Sequence, residues 1–482
     1  MRDVTEHPLP ELRFRNRSLS SYPHAGIIAG CAARTNDCAA FLDAATDAWG
    51  VRPRTTWEAM TLLPTAPGID PTGIFAQVPA NPRFDPVRTA PTTAWNLAMR
   101  FYGNGQQFNG PGNVAFDSLG RMWANNNAEW SENPLDVCPG LEMYRLDPFA
   151  PGRPMFTYTG GGLNGAGFGI ALDPKHDIWV GNFGFTGSLC MNKPPTSNSV
   201  SEFLPNGRPE SGKHGYRTGP LSWPQGTKSD VDGNIWIANC GNDSLVMYPK
   251  GNHQQSQRIG TDISRAFDVA QNSEGNVFVT ANGGDLVYGF RPDGSPLSGS
   301  PFGHADTFQL PLGAASDSLG NVWVSNSGVI KIPCVSGETL ELPSPDDEAL
   351  LQGSVVRVRP DGFESRFEGA GLTIAWGIAV DGDDNLWVAS FSGERLSHLC
   401  GARASTCPSG RTGHPISGDE GSPFDGLQRN TGVQVDPSGN VWLTNNWIKF
   451  PVQIDPFGDG LVVYLGVAEP VQAPLIGTPE KP

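Results

Sequence analysis

Residues 432–443 read Gly-Val-Gln-Val-Asp-Pro-Ser-Gly-Asn-Val-Trp-Leu, and this stretch decides the fold. Two short apolar runs flank a cluster of Asp, Pro, Gly and Asn, a pattern that predicts a β-hairpin. The phrase recurs along the chain, always with Asp and Trp six positions apart: Asp117 and Trp123, Asp173 and Trp179, Asp230 and Trp236, Asp317 and Trp323, Asp381 and Trp387, Asp436 and Trp442. A degenerate seventh copy runs from Asn272 to Phe278.

The spacing between copies predicts the architecture. Successive aromatic positions lie 42 to 64 residues apart, so a constant hairpin alternates with insertions of variable length. A third extended run follows most hairpins, as at 286–294. Seven repeats of three or four short strands are typical of an all-β, seven-bladed β-propeller. We place the propeller at 94–468 and a C-terminal tail at 469–482.

Composition excludes several classes of protein. The 482 residues include 60 glycines and 43 prolines, a density that would break long helices. The 49 acidic and 33 basic side chains give a net charge of −16, which disfavours a nucleic acid as partner. No apolar run approaches 18 residues, so we expect no membrane insertion, and we expect a monomer.

Residues 1–93 lie outside the repeats. Short amphipathic helices are predicted at 36–48 and 54–63, with a further turn at 71–78, and we expect them to cap the propeller. A strand at 94–102 could close the ring by joining the last blade. The run at 461–465 competes for the same edge position, so the sequence leaves the closure open.

The eight cysteines indicate disulfides in an extracytoplasmic protein, with reduced thiols in the cytosol as the alternative. Cys31 with Cys38 and Cys400 with Cys407 are each seven positions apart, and Cys138 and Cys190 lie in neighbouring blades. Cys240 and Cys334 remain, although their blades are not adjacent. Residues 1–30 contain no apolar segment of a secretory signal peptide.

The hairpin geometry places function on one face of the disc. The long insertions at 127–140, 183–198, 328–352 and 391–422 all leave from the face opposite the Asp/Gly turns. We call this the decorated face and the opposite one the turn face. The second hairpin strand ends there in an asparagine in six blades: Asn126, Asn182, Asn239, Asn282, Asn326 and Asn445. These side chains either cap turns or form a ring that binds a polar ligand.

Two further positions suggest a metal site. Asp268 and Asn113 stand where most copies have the glycine of the first strand, and so should lie near the channel. A carboxylate with amide carbonyl oxygens is a set of ligands suited to Ca²⁺. We therefore expect a possible calcium site at these two residues.

At the quoted residues the sequence resembles NHL-repeat and streptogramin-lyase-like β-propellers, whose blades carry Gly-Ile-x-x-Asp-x-x-Gly-Asn-x-Trp-Val. The tail at 458–477 is similar to that of secreted bacterial NHL-repeat proteins. In the lyases, the resemblance implies, catalytic His residues precede the first-strand glycine and a Glu follows a Trp by three positions. Here the pre-glycine positions hold no His and the post-Trp positions no Glu: the pre-glycine residues are Gly112, Phe168, Gln225, Phe267, Leu312, Trp376 and Thr431.

The remaining candidates come from the insertions. His304, His398 and Glu129 could act as acid, base or ligand, and Gln225, Trp130 and Trp376 could contact a ligand. The leading interpretation is an extracytoplasmic propeller that binds a small molecule, glycan or peptide in an asparagine-rich pocket. The alternatives are a Ca²⁺-assisted hydrolase or lactonase and, third, a lyase with relocated His and Glu residues.

Overall fold

A computed structural model supplies the coordinates. The structure describes these residues: 27, 31, 37–47, 50–65, 69–78, 97–101, 103–131, 138–147, 155–184, 190, 197–303, 307–335, 338, 340, 342, 352–424, 426–448 and 460–482. The N-terminal extension contributes helices α1 (Asp37–Ala44), α2 (Thr56–Thr65) and α3 (Pro71–Phe75). None of the described helices is long and apolar enough to cross a bilayer.

Strand β1 (Ala98–Phe101) precedes the repeats, and the next strands form the first four blades. Blade 1 comprises β2 (Val114–Phe116), β3 (Met122–Ala124), β4 (Glu142–Leu146) and β5 (Met155–Thr159). Blade 2 comprises β6 (Ile170–Leu172), β7 (Ile178–Asn182) and β8 (Ser199–Phe203). Blade 3 comprises β9 (Pro224–Ser229), β10 (Ile235–Asn239), β11 (Ser244–Tyr248) and β12 (Gln257–Ile259). Blade 4 comprises β13 (Ala266–Gln271), β14 (Val277–Ala281) and β15 (Leu286–Phe290).

Three more blades complete the ring, so the predicted seven-bladed propeller is confirmed. Blade 5 comprises β16 (Pro311–Ser316), β17 (Val322–Asn326), β18 (Ser354–Val358) and β19 (Glu364–Phe367). Blade 6 comprises β20 (Ala375–Val380), β21 (Leu386–Ser390), β22 (Arg395–Leu399) and β23 (Ser422–Pro423). Blade 7 comprises β24 (Arg429–Val435), β25 (Val441–Trp447) and β26 (Leu461–Tyr464), with β1 as its fourth strand.

Blade 7 closes the ring by joining the two ends of the propeller. Strand β1 pairs antiparallel with β26, with Ala98 opposite Tyr464 and Phe101 opposite Leu461. The run at 461–465 is therefore the third strand of the last blade and the run at 94–102 supplies the fourth. Both candidate strands of the sequence are used, in adjacent positions.

A hydrogen bond explains the constant interval between Asp and Trp. In each of the six full copies the indole Nε1 donates to Oδ2 of the Asp, at 2.8 to 3.3 Å. The other carboxylate oxygen accepts backbone N–H groups of the turn, as Asp436 does from Ser438 and Asn440. One carboxylate thus fixes both the turn and the aromatic ring, which requires a fixed number of residues between them.

The tryptophans also build the core between blades. Trp123 of blade 1 packs with Ile170 and Leu172 of blade 2, and Trp442 of blade 7 packs with Val114 of blade 1. The six rings are between 0% and 4% exposed. Burying a large aromatic ring in each gap stabilises blade against blade and makes the ring one cooperative unit.

Three disulfides join insertions of the decorated face: Cys138–Cys190, Cys240–Cys334 and Cys400–Cys407. The first and third confirm expected pairs. Cys240–Cys334 forms although blades 3 and 5 are not adjacent, because the segment after β17 leaves blade 5 and reaches blade 3. The pair Cys31 and Cys38 stays a prediction.

The N-terminal helices have an apolar cluster of their own. Phe41, Leu42, Leu63 and Ile74 are buried within it, and its other members also come from residues 27–78. In α3, Pro71 occupies the first turn and Asp70 caps the helix by accepting a hydrogen bond from Gly73 N. The predicted helices are therefore present, whereas their packing on the propeller stays a prediction.

Candidate functional site

Buried apolar side chains fill the channel where it meets the decorated face. Phe168, Phe267, Leu312 and Trp376 occupy pre-glycine positions of four blades and belong to one cluster with Phe391. Ring centroids are 4.9 Å apart for Phe168 and Phe267, 6.1 Å for Phe267 and Trp376, and 4.9 Å for Trp376 and Phe391. The positions that ring the channel mouth therefore mostly carry packing residues.

A segment from blade 5 covers this cluster. We call it the strap, and it consists of residues 328–335 with 338, 340 and 342. Ile330, Ile332 and Cys334 of the strap are buried in the same apolar cluster. The Arg265 guanidinium pairs with the Glu338 carboxylate at 2.7 Å and holds the pKa of Glu338 down at about 2. Together with Cys240–Cys334, these contacts fix the strap across blades 3 and 4.

Below the apolar cluster, glycines bring the first strands into contact. A Cβ atom added to Gly432 would lie 2.6 Å from Asn113 Oδ1, and one added to Gly313 would lie 2.6 Å from Trp376 O. A Cβ on Gly226 would lie 2.7 Å from Asp268 Cα. Real Cβ atoms do not approach neighbours so closely, so only glycine allows these strands to converge into a narrow neck.

The C-terminal tail closes the channel at the turn face. Gln472 N donates to Glu480 O at 2.7 Å, and Lys481 Nζ contacts Asp383 Oδ1 at 2.7 Å. Leu475 of the tail lies over two small cavities of about 50 and 30 Å³, which Lys228 and Gln434 also line. Such volumes hold a few water molecules but no organic ligand. The described part of the channel interior is thus unsuited to a substrate.

A different arrangement lies beside the apolar cluster, where blades 6, 7 and 1 meet. We call it the mouth cluster: Asn127, Trp376, Phe391, Arg429, Asn446 and Trp447. Asn127 Nδ2 of blade 1 donates to Asn446 Oδ1 of blade 7 at 3.0 Å. The next residue, Trp447, meets Phe391 edge-on at 6.1 Å, and the Arg429 guanidinium lies 5.0 Å from the Phe391 ring centre. Aromatic rings, one cation and two amides therefore adjoin one another.

The mouth cluster contains buried polar atoms that no protein group satisfies. Asn127 Oδ1 and Trp376 Nε1 have no hydrogen-bond partner, and their side chains are only 2% and 5% exposed. Asn126 Oδ1 and Asn430 Oδ1, at neighbouring chain positions, are in the same state. A buried polar group without a partner costs about 1–3 kcal/mol, so water or a ligand is expected to complete these bonds.

The six predicted ring asparagines lie inside the blades. Asn182 donates to Ser199 Oγ and Ser201 Oγ, and Asn326 donates to Ser354 Oγ, which ties the second strand to the third. Asn282 and Asn445 donate to backbone carbonyls, and Asn239 accepts from Ser222 N. Asn126 donates to Ala128 O. These bonds are those of turn-capping residues, and a ligand-binding role for the six stays a prediction.

Asp268 and Asn113 do not fit a calcium ion. Asp268 is buried, and its two carboxylate oxygens accept hydrogen bonds from Val269 N at 2.8 Å and Ala314 N at 3.0 Å. Burial raises the pKa of this carboxyl group. Asn113 Oδ1 likewise accepts from Val114 N. Among the described residues, no three His, Cys, Asp or Glu side chains are grouped so as to hold a metal ion.

The other predicted site residues are dispersed. His398 lies within blade 6, where its ring stacks on Trp387 at 3.7 Å, and burial lowers its pKa to about 3. Glu129 and the 41%-exposed Trp130 lie in the blade 1 insertion. Gln225 braces blades 2 and 3, since its Oε1 accepts from Phe168 N. His304 lies outside the described residues, and Trp376 alone of the set belongs to the mouth cluster.

His398 has a structural explanation in the repeat. It lies directly opposite Trp387 in the strand register, as Arg145 lies opposite Trp123 and Arg357 opposite Trp323. All three side chains cover the face of the indole in their own blade. A catalytic role for His398 would require a ring that solvent or substrate can reach, and this ring is 6% exposed.

Sequence reasoning missed five residues of the mouth cluster. The available signal was local: Asn125-Asn-Asn127 and Asn445-Asn-Trp447 end the second strands of two blades that ring closure makes neighbours. Counting only the residue three after each Trp selected Asn126 and Asn445, which face their own blades. The next position along the chain, Asn127 and Asn446, bridges the closure.

Neither a protein-family model nor a curated protein sequence matches this chain. Among solved structures, a streptogramin B lyase superimposes with a TM-score of 0.51 at 12% identity, covering 74% of this chain and 95% of the lyase. Virginiamycin B lyase from Staphylococcus aureus gives 0.51 at 11% identity, covering 77% and 98%. At such identities the likeness concerns the fold alone. In fold, the chain is a streptogramin-lyase-like seven-bladed β-propeller.

Proposed function

We propose that this protein is an extracytoplasmic binding propeller that holds a small polar molecule, glycan or peptide in the mouth cluster. The observation that carries the proposal is the pair of buried, unpartnered atoms Asn127 Oδ1 and Trp376 Nε1. They sit among side chains of three blades that the fold brings together only by closing its ring. Ligand sites commonly combine such aromatic walls with a few polar groups.

Two features of the fold support this location. The neck and the tail leave only small cavities in the described channel, so a ligand must be bound at a face. The three disulfides and the strap all rigidify the decorated face, on which the mouth cluster lies. A rigid site loses less conformational entropy on binding.

The extracytoplasmic part of the proposal is supported by the disulfides. Six of the eight cysteines are paired in Cys138–Cys190, Cys240–Cys334 and Cys400–Cys407. Disulfides of this kind persist in oxidising compartments and are rare in reducing ones. The calcium-dependent hydrolase has no comparable support, because the oxygens of Asp268 are already engaged by backbone donors.

A thermal-shift panel of small polar metabolites, soluble glycans and short peptides tests the proposal. A ligand that binds only the folded state raises Tm by mass action. The shift should disappear in Asn127→Ala and Trp447→Ala, and persist in Trp57→Ala, which removes a tryptophan 74% exposed on the N-terminal helices. A shift that all three variants retain would place the ligand elsewhere and refute the proposed site.

A further inference from the structure

We infer that the ligand of the mouth cluster is a neutral sugar ring, as in an oligosaccharide; this inference rests on the proposed function. The first argument is the balance of hydrogen bonds. Asn127 Oδ1, like Asn126 Oδ1 and Asn430 Oδ1, needs a donor, whereas Trp376 Nε1 needs an acceptor. A hydroxyl group both donates and accepts, so a polyol meets both needs with one kind of group.

The second argument is the aromatic wall. Trp376 and Phe391 are stacked at 4.9 Å, and Trp447 meets Phe391 at 6.1 Å and is only partly buried. A pyranose offers an apolar C–H face to such a ring while its hydroxyl groups point to the sides. A flat apolar face with polar edges is also the shape that the neighbouring amides of Asn127 and Asn446 require.

The third argument is charge. The mouth cluster contains no carboxylate, and its one cation, Arg429, lies against the ring of Phe391. The amide atoms are neutral, so the local chemistry does not select an ionised ligand. The chain as a whole carries a net charge of −16, which disfavours the approach of a polyanionic glycan. These observations favour a neutral sugar over an acidic one and over a charged peptide.

Water is the competing occupant. Buried waters typically make about three hydrogen bonds to groups such as the Asn127 amide, and a site filled by water alone would need no ligand. Trp376 Nε1 opposes this reading in part, because it lies in the apolar cluster with Phe267 and Phe391. The two occupants differ in what they predict for binding.

The test is a glycan array of neutral and acidic oligosaccharides, followed by calorimetric titration of each hit with the full-length protein. We expect binding to neutral glycans, weakened about tenfold in Asn127→Ala, since losing one hydrogen bond of about 1.4 kcal/mol changes Kd by that factor. Trp447→Phe should retain more affinity than Trp447→Ala. Trp57→Ala should match the wild type, and each variant is checked for an unchanged circular dichroism spectrum.

Other outcomes separate the inference from the proposed function. If the array is silent but a peptide or charged metabolite binds and loses affinity in Asn127→Ala, the sugar is wrong and the site stands. If acidic glycans bind more tightly than neutral ones, the charge argument is overturned. If nothing binds and a crystal structure shows only ordered water at Asn127 Oδ1 and Trp376 Nε1, both are refuted.

Discussion

Trp236 Nε1 donates a hydrogen bond to Asp230 Oδ2 at 2.8 Å, and both side chains are buried between blades. This single contact, repeated in six blades, connects the turn that starts the hairpin to the ring that fills the gap to the next blade. Blade 4 shows the matched replacement. There Asn272 and Phe278 substitute together, and Asn272 Oδ1 still accepts from Glu274 N and Asn276 N of the turn.

Trp236→Phe should lower the free energy of unfolding by about 2 kcal/mol, because a buried hydrogen bond to a carboxylate is lost. Asp230→Asn should also destabilise, since its amide N–H would face the indole N–H. The double variant reproduces the pair of blade 4 and should be more stable than the sum of the single changes. Denaturant unfolding of all four proteins measures the coupling, and strict additivity would contradict this explanation.

Asp381→Asn should change the pH dependence of stability. Burial raises the pKa of Asp381 from 3.8 to about 7, so the folded protein binds more protons than the unfolded chain between these values. Stability is therefore lost as the pH rises through this window. The Tm of Asp381→Asn relative to the wild type should increase from pH 4 to pH 7. Asp419→Asn, in an exposed loop, is the control and should show no such trend.

His398→Phe should have the opposite pH signature. Burial lowers the pKa of His398 from 6.5 to about 3, so the unfolded chain binds more protons and stability is lost as the pH falls below about 6.5. Phenylalanine keeps the stacking on Trp387 without a titrating group. Its Tm relative to the wild type should rise as the pH drops from 6.5 to 4, with ligand binding unchanged. A loss of ligand binding at neutral pH would return His398 to the functional residues.

Gly432→Ala should destabilise the ring closure. The new Cβ would meet Asn113 of blade 1 at 2.6–2.9 Å, and overpacking of this kind typically costs about 1–3 kcal/mol. Gly212→Ala provides a matched control, because no atom lies within 4 Å of its added Cβ. Thermal unfolding should separate the two variants clearly. Equal Tm values would show that the first strands are not in contact at the neck.

The sequence predicted the fold well because the fold depends on a local pattern. Asp436 and Trp442 contact each other across a six-residue hairpin, and such contacts repeat with the period of the blade. The choice between β1 and β26 as closing strand was beyond local reasoning, since both are short apolar runs and only the completed ring orders them.

The candidate site was predicted less well because it depends on long-range contacts. Asn127 and Asn446 are 319 positions apart, and their contact exists only once blade 7 meets blade 1. The same holds for Cys240 and Cys334, whose pairing depends on where the strap crosses. Residue type alone favoured His398, although its position opposite Trp387 makes it part of the blade.

The most direct test of the account is a crystal structure of the protein with a bound ligand selected from the glycan array or the thermal-shift panel. We predict ligand density against Trp447, with a ligand donor within about 2.6–3.2 Å of Asn127 Oδ1. An acceptor should lie at the same range from Trp376 Nε1. Density at the turn face or in another insertion, with only water at these two atoms, would contradict the account.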